Sequence, residues 1–162
     1  MAIPLVNLQR NYNTYRQEYE KAMLDAASSC AFILGKYVDA FEQEFAEYLG
    51  VKHVLGVGSG TDGLTLALRA LGMDPGQRVL TQANSFIASA LAIHNAGHRI
   101  AICDVDRRHV MDIDSDQGDA PAAVVPVHLY GYPYDVELIR QKWPKAYIVE
   151  DACQAHGSYL NG

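Results

Sequence analysis

The chain has little that would cross-link it, anchor it in a bilayer or coat it with positive charge. Three of its 162 residues are cysteines, Cys30, Cys103 and Cys153. They are odd in number and far apart, which excludes a disulfide framework and reads as reduced thiols. No uninterrupted apolar run reaches membrane-spanning length, which excludes a transmembrane helix. Positive charge is scarce: 13 Lys and Arg stand against 19 Asp and Glu, for a net charge of −6. No basic patch stands out, so nucleic acid and anionic membrane are poor partners. The opening Met1-Ala2-Ile3-Pro4-Leu5-Val6-Asn7 has no basic segment and soon turns polar, unlike a secretory signal. These absences lead to the expectation of a cytoplasmic protein. Repeats, low-complexity tracts and linkers are missing as well. What is present is an ordinary composition, 49% hydrophobic and 20% charged, in a length that supports one real core.

Periodicity predicts two helices first. Over residues 9–29, Tyr12, Tyr15, Tyr19, Met23 and Ala26 recur at three- and four-residue steps along one face. Gly35 breaks that pattern, and a second helix follows over 36–49, with Val38, Phe41, Phe45 and Leu49 inward and Gly50 as its left-handed cap. From residue 53 strand and helix alternate. Strands are predicted over 53–57, 78–82, 99–105, 122–128 and 146–150, and helices over 61–71, 85–95 and 134–142. Gly97 closes the second of these helices, and residues 106–120 read as an acidic irregular stretch. Short, β-branched strands fit burial on both faces, and strand–helix alternation gives a mainly parallel sheet flanked by helices, an α/β fold. About five strands are expected. The last has no following helix, so the sheet is expected to be interrupted at Gly162.

Chemistry-bearing residues gather where strands end. In open α/β sheets, ligands bind outside the carboxyl ends of the strands. Gly58-Ser59-Gly60-Thr61-Asp62-Gly63 follows a strand and opens a helix, the setting in which backbone N–H groups hold a phosphate. The hexad also fits the dinucleotide fingerprint, which further wants an acid at the end of the next strand. That strand ends in Thr81-Gln82-Ala83-Asn84, so a phosphate monoester is preferred, with a bare structural turn as the plain alternative. Phe86 lies at the second tip. It is either a core residue or a flat face for a flat ligand. At the fourth tip, His128 and Tyr130 could bind a polar ligand such as a sugar, while Tyr132 and Tyr134 read better as packing on a Gly-Pro turn. Asp151, delivered by the last strand, is followed three residues later by Gln154. A carboxylate and an amide so spaced could hold a ring nitrogen and a ring hydroxyl, the pair offered by pyridoxal phosphate (PLP), whose pyridinium needs an acidic partner. The plain alternative is an acidic helix cap.

Other constellations are weaker. Asp112, Asp114 and Asp116 imitate a calcium loop, but Gln117 and Ala123 stand where it needs Gly and Glu, so a solvated loop is expected. His94 and His98 have metal-ligand spacing, but Gly97 should end the helix between them. Cys153 reads as a small buried thiol rather than a nucleophile.

Taken as an ordered set, these motifs resemble the sugar aminotransferase family named after DegT, DnrJ, EryC1 and StrS, of the fold-type I PLP superfamily. The segments that carry the resemblance are Phe32-Ile33-Leu34-Gly35, Phe45-Ala46-Glu47-Tyr48-Leu49-Gly50, Gly58-Ser59-Gly60-Thr61-Asp62, Asn84-Ser85-Phe86-Ile87-Ala88, Pro126-Val127-His128-Leu129-Tyr130-Gly131 and Glu150-Asp151-Ala152-Cys153-Gln154-Ala155-His156-Gly157. The resemblance implies that Gly60, Thr61 and Asp62 hold the PLP phosphate, that Phe86 stacks on the pyridine, that Asp151 pairs with the ring nitrogen, and that Gln154 contacts the ring hydroxyl or ring face. It implies amino transfer from glutamate to a keto-sugar on a nucleotide carrier, of dTDP type and with the 3-keto position as one option, by a homodimer. Residues 1–34 would form an N-terminal arm and helix, and 35–162 the first part of the cofactor-binding large domain.

One departure is large. The family's Schiff-base lysine lies downstream of the Asp-x-x-Gln strand, beyond Gly162, and Lys21, Lys36, Lys52, Lys142 and Lys145 do not occupy its place. The chain is therefore expected to be catalytically incomplete alone. Two alternatives stay open at this point: a sugar 3-dehydratase of the same family, with histidine for the lysine, and a non-catalytic module that pairs with another chain. A nicotinamide enzyme is a further reading, weakened by the missing acid.

Overall fold

A computed structural model describes residues 3–160. The chain divides into two compact units, Met1–Gly56 and Val57–Gly162.

The first unit is helical. Helix α1 (Leu8–Thr14) starts at Asn7, whose side chain accepts the Arg10 N–H at 3.0 Å, and α2 (Arg16–Ser29) follows after a break at Tyr15. The single helix expected over 9–29 is thus two. Thr14 supplies a local reason, since its hydroxyl donates back to the Arg10 carbonyl at 3.0 Å and competes with the helix ladder. Tyr12 and Tyr19 stack at 6.3 Å, and Tyr15 meets Tyr19 edge-on. Helix α3 (Lys36–Leu49) has the expected bounds. Gly50, at φ 67°, donates to the Glu47 carbonyl while Val51 donates to that of Ala46, a Schellman cap. The inward faces expected of these helices are corrected: no residue of α1, α2 or α3 is buried. Their aromatics pack on one another instead, Tyr12 of α1 on Tyr19 of α2 and, within α3, Phe41 on Phe45 at 5.4 Å and Phe45 on Tyr48 at 6.0 Å. The strand expected over 53–57 is absent. A strand needs a neighbouring ladder, and none of the described strands pairs with this run; Gly56 N–H is satisfied by the Glu42 carboxylate at 2.6 Å.

Among its described residues the second unit holds a four-stranded parallel sheet in the order β2-β1-β3-β4, made of β1 (Arg78–Gln82), β2 (Arg99–Cys103), β3 (Ala123–Val125) and β4 (Tyr147–Ile148). Helices α4 (Gly60–Ala70), α5 (Ile87–Asn95) and α6 (Val136–Lys142) connect or precede the strands. Strand alternation sends the two faces into separate cores. Val79, Ala123 and Val125 pack with Leu64 and Leu68 of α4 and Ala92 and Ile93 of α5. Leu80, Val124 and Cys103 pack with Ile139 of α6, Tyr134, and Val110, Met111 and Ile113 of the acidic stretch. The expectation of strands buried on both faces is corrected for β2, an edge strand whose Ile100 and Ile102 are exposed.

Strands β2, β3 and β4 end earlier than periodicity suggests, while β1 has the expected bounds. Pro126 has no N–H, so the β3 ladder breaks there and resumes as a single bridge between Val127 and Asp151. Gly97, at φ 87°, closes α5 in a second Schellman cap, with its N–H on His94 and that of His98 on Ile93, so His94 and His98 fall on either side of the helix end. The acidic stretch holds one 3₁₀ turn, Ile113–Ser115. Its carboxylates serve as local partners: Asp112 accepts from Asp114 N–H, Asp114 pairs with Lys142, and Asp116 pairs with Arg78. Among the described residues, no helix is long and apolar enough to cross a membrane.

Burial leaves two acids reluctant to ionise. The Cys103 thiol is pushed up from 9.0 to about 11 by burial and then by the Asp116 charge, and the Tyr134 phenol from 10.0 to about 12 by burial and then by Cys103. Unfolded, both groups lose their protons first, so the native state holds more protons and stability falls as pH rises above about 9. Thermal unfolding midpoints should therefore drop between pH 9 and 11, and a Cys103→Ala, Tyr134→Phe variant should drop less steeply. Parallel profiles for the two proteins would contradict this account.

Candidate cofactor site

The strand tips are tied together by buried polar side chains. Gln82, at the end of β1, accepts the Val127 N–H at 3.1 Å and donates to Asn84 at 2.8 Å, and Asn84 donates to the His109 carbonyl at 3.0 Å. Thr81 donates its hydroxyl to the Val125 carbonyl at 2.9 Å. With their polar groups satisfied in this way, these residues act as struts rather than ligands. Phe86, the extended residue before α5 (φ −63°, ψ 146°), is left 75% exposed with its ring on the wall of a cavity.

That cavity, of about 250 Å³, brings together Gly60, Thr61, Leu64, Phe86, Ala88, Val127, Leu129, Asp151, Cys153 and Gln154. Five of the six cofactor residues expected from the sequence thus share one space. The sixth, Asp62, does not line it. Ser59 caps α4 by accepting the Asp62 N–H at 3.1 Å and donating its hydroxyl to the Asp62 carboxylate at 2.9 Å, so that N–H is already used. Gly63 N–H goes to the Ser59 carbonyl. The N–H groups of Gly60 and Thr61 have no partner among the described residues, and they sit at the positive end of the helix dipole. Gly60 also allows close approach, because a Cβ there would lie 3.1 Å from the Cys153 sulfur.

Opposite the loop, Asp151 is fixed by its backbone. Its N–H donates to the Pro126 carbonyl at 2.9 Å, and its carbonyl accepts the His128 N–H at 3.0 Å. Asp151 is 8% exposed, and its carboxylate accepts the Ser89 hydroxyl at Oδ2 (2.9 Å) and, more weakly, the Cys153 N–H at Oδ1 (3.4 Å). The Gln154 side-chain oxygen accepts the Tyr130 N–H at 2.8 Å, leaving its amide N–H₂ to donate elsewhere. Cys153 is exposed, which corrects the expectation of a buried thiol, yet partial desolvation and the neighbouring Asp151 push its thiol up to about 11, so it is neutral near pH 7 and unsuited to act as a nucleophile.

His128 and Tyr130 stand outside this lining. His128 is buried. Its Nδ1 accepts the Tyr134 N–H at 2.9 Å, which places the ring proton on Nε2, where it meets Glu150 at 2.9 Å. That hydrogen bond holds the Glu150 carboxyl below its ordinary range. Both ring nitrogens are therefore occupied, and His128 works as a tie between the turn and the last strand tip. Tyr130 is 84% exposed with φ 57°, next to Gly131 at φ 82°. No lysine lines the cavity among the described residues. Sequence reasoning missed Ser89, whose partner lies 62 positions away and which no spacing rule connects to it. It also missed the apolar wall of Leu64, Ala88, Val127 and Leu129, which the strand-tip rule could have supplied.

An acceptor pair, free amides at a helix start, a flat aromatic and a donor amide around one small cavity suit a planar phosphate ester with a basic ring nitrogen. Comparison with known proteins agrees with that chemistry. The sequence profile of the DegT/DnrJ/EryC1/StrS aminotransferase family matches residues 13–162. The chain is 36% identical over 166 residues to the dTDP-3-amino-3,4,6-trideoxy-alpha-D-glucose transaminase of Streptomyces venezuelae, covering 99% of this chain and 44% of that protein. The crystal structure of S. venezuelae DesV in complex with a ketimine intermediate superposes with a TM-score of 0.87 at 36% identity, over 96% of this chain and 43% of that one. A GDP-4-keto-6-deoxymannose-3-dehydratase with a trapped PLP-glutamate geminal diamine superposes with a TM-score of 0.80 at 25% identity, over 88% and 40%. The chain spans less than half the length of these relatives. With the family profile matching nearly its whole length, the chain belongs to the DegT/DnrJ/EryC1/StrS aminotransferase family.

Proposed function

We propose that this chain carries the ring and phosphate cradle of a PLP-dependent aminotransferase that moves an amino group from glutamate to a keto-sugar on a nucleotide carrier, of dTDP type and at the 3-keto position. The observation that carries the reading is the single cavity in which Gly60, Thr61, Phe86, Asp151 and Gln154 meet. When bound, PLP supplies an electron sink for amino transfer. Gly60 and Thr61 direct their free N–H groups at its phosphate, and Asp62 serves that loop by completing the α4 cap. Phe86 covers one face of the ring. Asp151 pairs with the protonated ring nitrogen, and Gln154, oriented by the Tyr130 N–H, donates its amide toward the ring hydroxyl. Exposed Tyr130 stands at the sugar side, and His128 holds the turn that presents it.

In this reading residues 35–162 are the first part of the large cofactor domain and 1–34 its N-terminal arm, in a cytoplasmic homodimer. The 3-amino nucleotide sugar in the name of the Streptomyces transaminase supports the substrate class. Among the described residues, none that lines the cavity is a lysine able to form the cofactor's covalent link.

Two outcomes test the cradle. Titration calorimetry of the chain with PLP should show binding that weakens about tenfold or more in Asp151→Asn, the scale of a lost charge-assisted hydrogen bond. Equal affinity for wild type and Asp151→Asn would remove Asp151 from the site. Alkylation of Cys153 by iodoacetamide, followed by peptide mass mapping, should stay slow at pH 8, where about a thousandth of the thiol is ionised, and climb toward pH 11. Bound PLP should slow it further. A rate that saturates near neutral pH would contradict the site's electrostatics.

A further inference from the structure

We propose that Ser89 is a positioning residue for the ring nitrogen of the cofactor, acting through Asp151. The proposal rests on the cofactor reading given above and extends it to a residue buried beneath the site.

Ser89 is 1% exposed and lies in the first turn of α5, where its N–H donates to the Phe86 carbonyl at 3.2 Å. Its hydroxyl donates to Asp151 Oδ2 at 2.9 Å. The other carboxylate oxygen, Oδ1, receives the distant Cys153 N–H at 3.4 Å, the Cys153 thiol is a further weak donor to the carboxylate, and Asp151 lines the cavity. One oxygen is therefore pinned and the other is left with accepting capacity. A carboxylate free to turn about its Cβ–Cγ bond would present either oxygen; the Ser89 hydrogen bond removes that freedom before any ligand arrives. The same helical turn carries Phe86, so the aromatic face and the orientation of the carboxylate are set by one rigid piece of backbone. A ring held against Phe86 is thereby placed in fixed relation to the acceptor that must meet its nitrogen.

The hydroxyl does nothing for a ring that lacks the nitrogen, and this separates positioning from general support. Affinities for PLP and for its carbocyclic analogue, with C–H in place of the ring nitrogen, should be measured by calorimetry on the wild-type chain, Ser89→Ala and Ser89→Thr. Wild type should prefer PLP. Ser89→Ala should bind PLP about tenfold more weakly while holding the analogue within about twofold, and Ser89→Thr, which keeps the hydroxyl, should restore the preference. Circular dichroism should be close to wild type for Ser89→Ala, since alanine suits a helix, while its unfolding midpoint should fall modestly because Asp151 Oδ2 loses its buried donor. An undiminished preference in Ser89→Ala, or an equal loss for both ligands, overturns the positioning role. If Ser89→Ala fails to fold, the Thr variant decides: loss of the preference with the hydroxyl present overturns the proposal, and retention supports it. A wild-type chain that binds neither ligand removes the cofactor reading itself, and the positioning role with it.

Discussion

Two backbone hydrogen bonds fix the place of Asp151, and the site is arranged around them. Asp151 N–H to the Pro126 carbonyl and His128 N–H to the Asp151 carbonyl extend the β3–β4 pairing past the point where Pro126 interrupts the ladder. They deliver the carboxylate to the sheet's C-terminal edge without the mobility of a loop. The turn after Val127 depends on the same bonds, and so does the Gln154 amide, which is caught by the Tyr130 N–H of that turn. A strand tip held in this way can point a charged group into a small cavity because its main-chain groups are already satisfied.

The charge itself is costly to bury, and three groups offset that cost. Ser89 donates a full hydrogen bond and Cys153 a weaker one, and the helix start at Gly60 and Thr61 presents unpaired N–H groups to the same cavity. The balance leaves an anion on one side and a positive helix end on the other. A ligand carrying a protonated ring and a phosphate matches that polarity from end to end. The neutral Cys153 thiol lies between them, against Gly60.

The second unit was largely legible in the sequence. Strand–helix alternation located β1 to the residue, and Gly50 and Gly97 marked helix ends that the structure closes with Schellman caps. The meeting of Gly60, Thr61, Phe86, Asp151 and Gln154 in one cavity was legible because they sit at strand tips in recognisable motifs. What could not be read depends on partners distant in sequence. The run at 53–57 has the composition of a strand but finds no ladder among the described residues, and composition cannot report that. Tyr12, Phe41 and Phe45 have helical spacing, yet Tyr12 packs on Tyr19 and Phe41 on Phe45 rather than into a core. Ser89 looked like one more small residue in a helix until the fold set it against Asp151.

The central claim is that Asp151 meets a protonated ring nitrogen. The direct measurement is the ¹⁵N chemical shift of PLP, labelled at its ring nitrogen and bound to this chain, recorded for wild type and Asp151→Asn at a pH above that at which the free ring loses its proton. A pyridinium shift in the wild type that reverts toward neutral pyridine in the variant is the result predicted here. A neutral pyridine in the wild type, or a pyridinium that survives loss of the carboxylate, would contradict it.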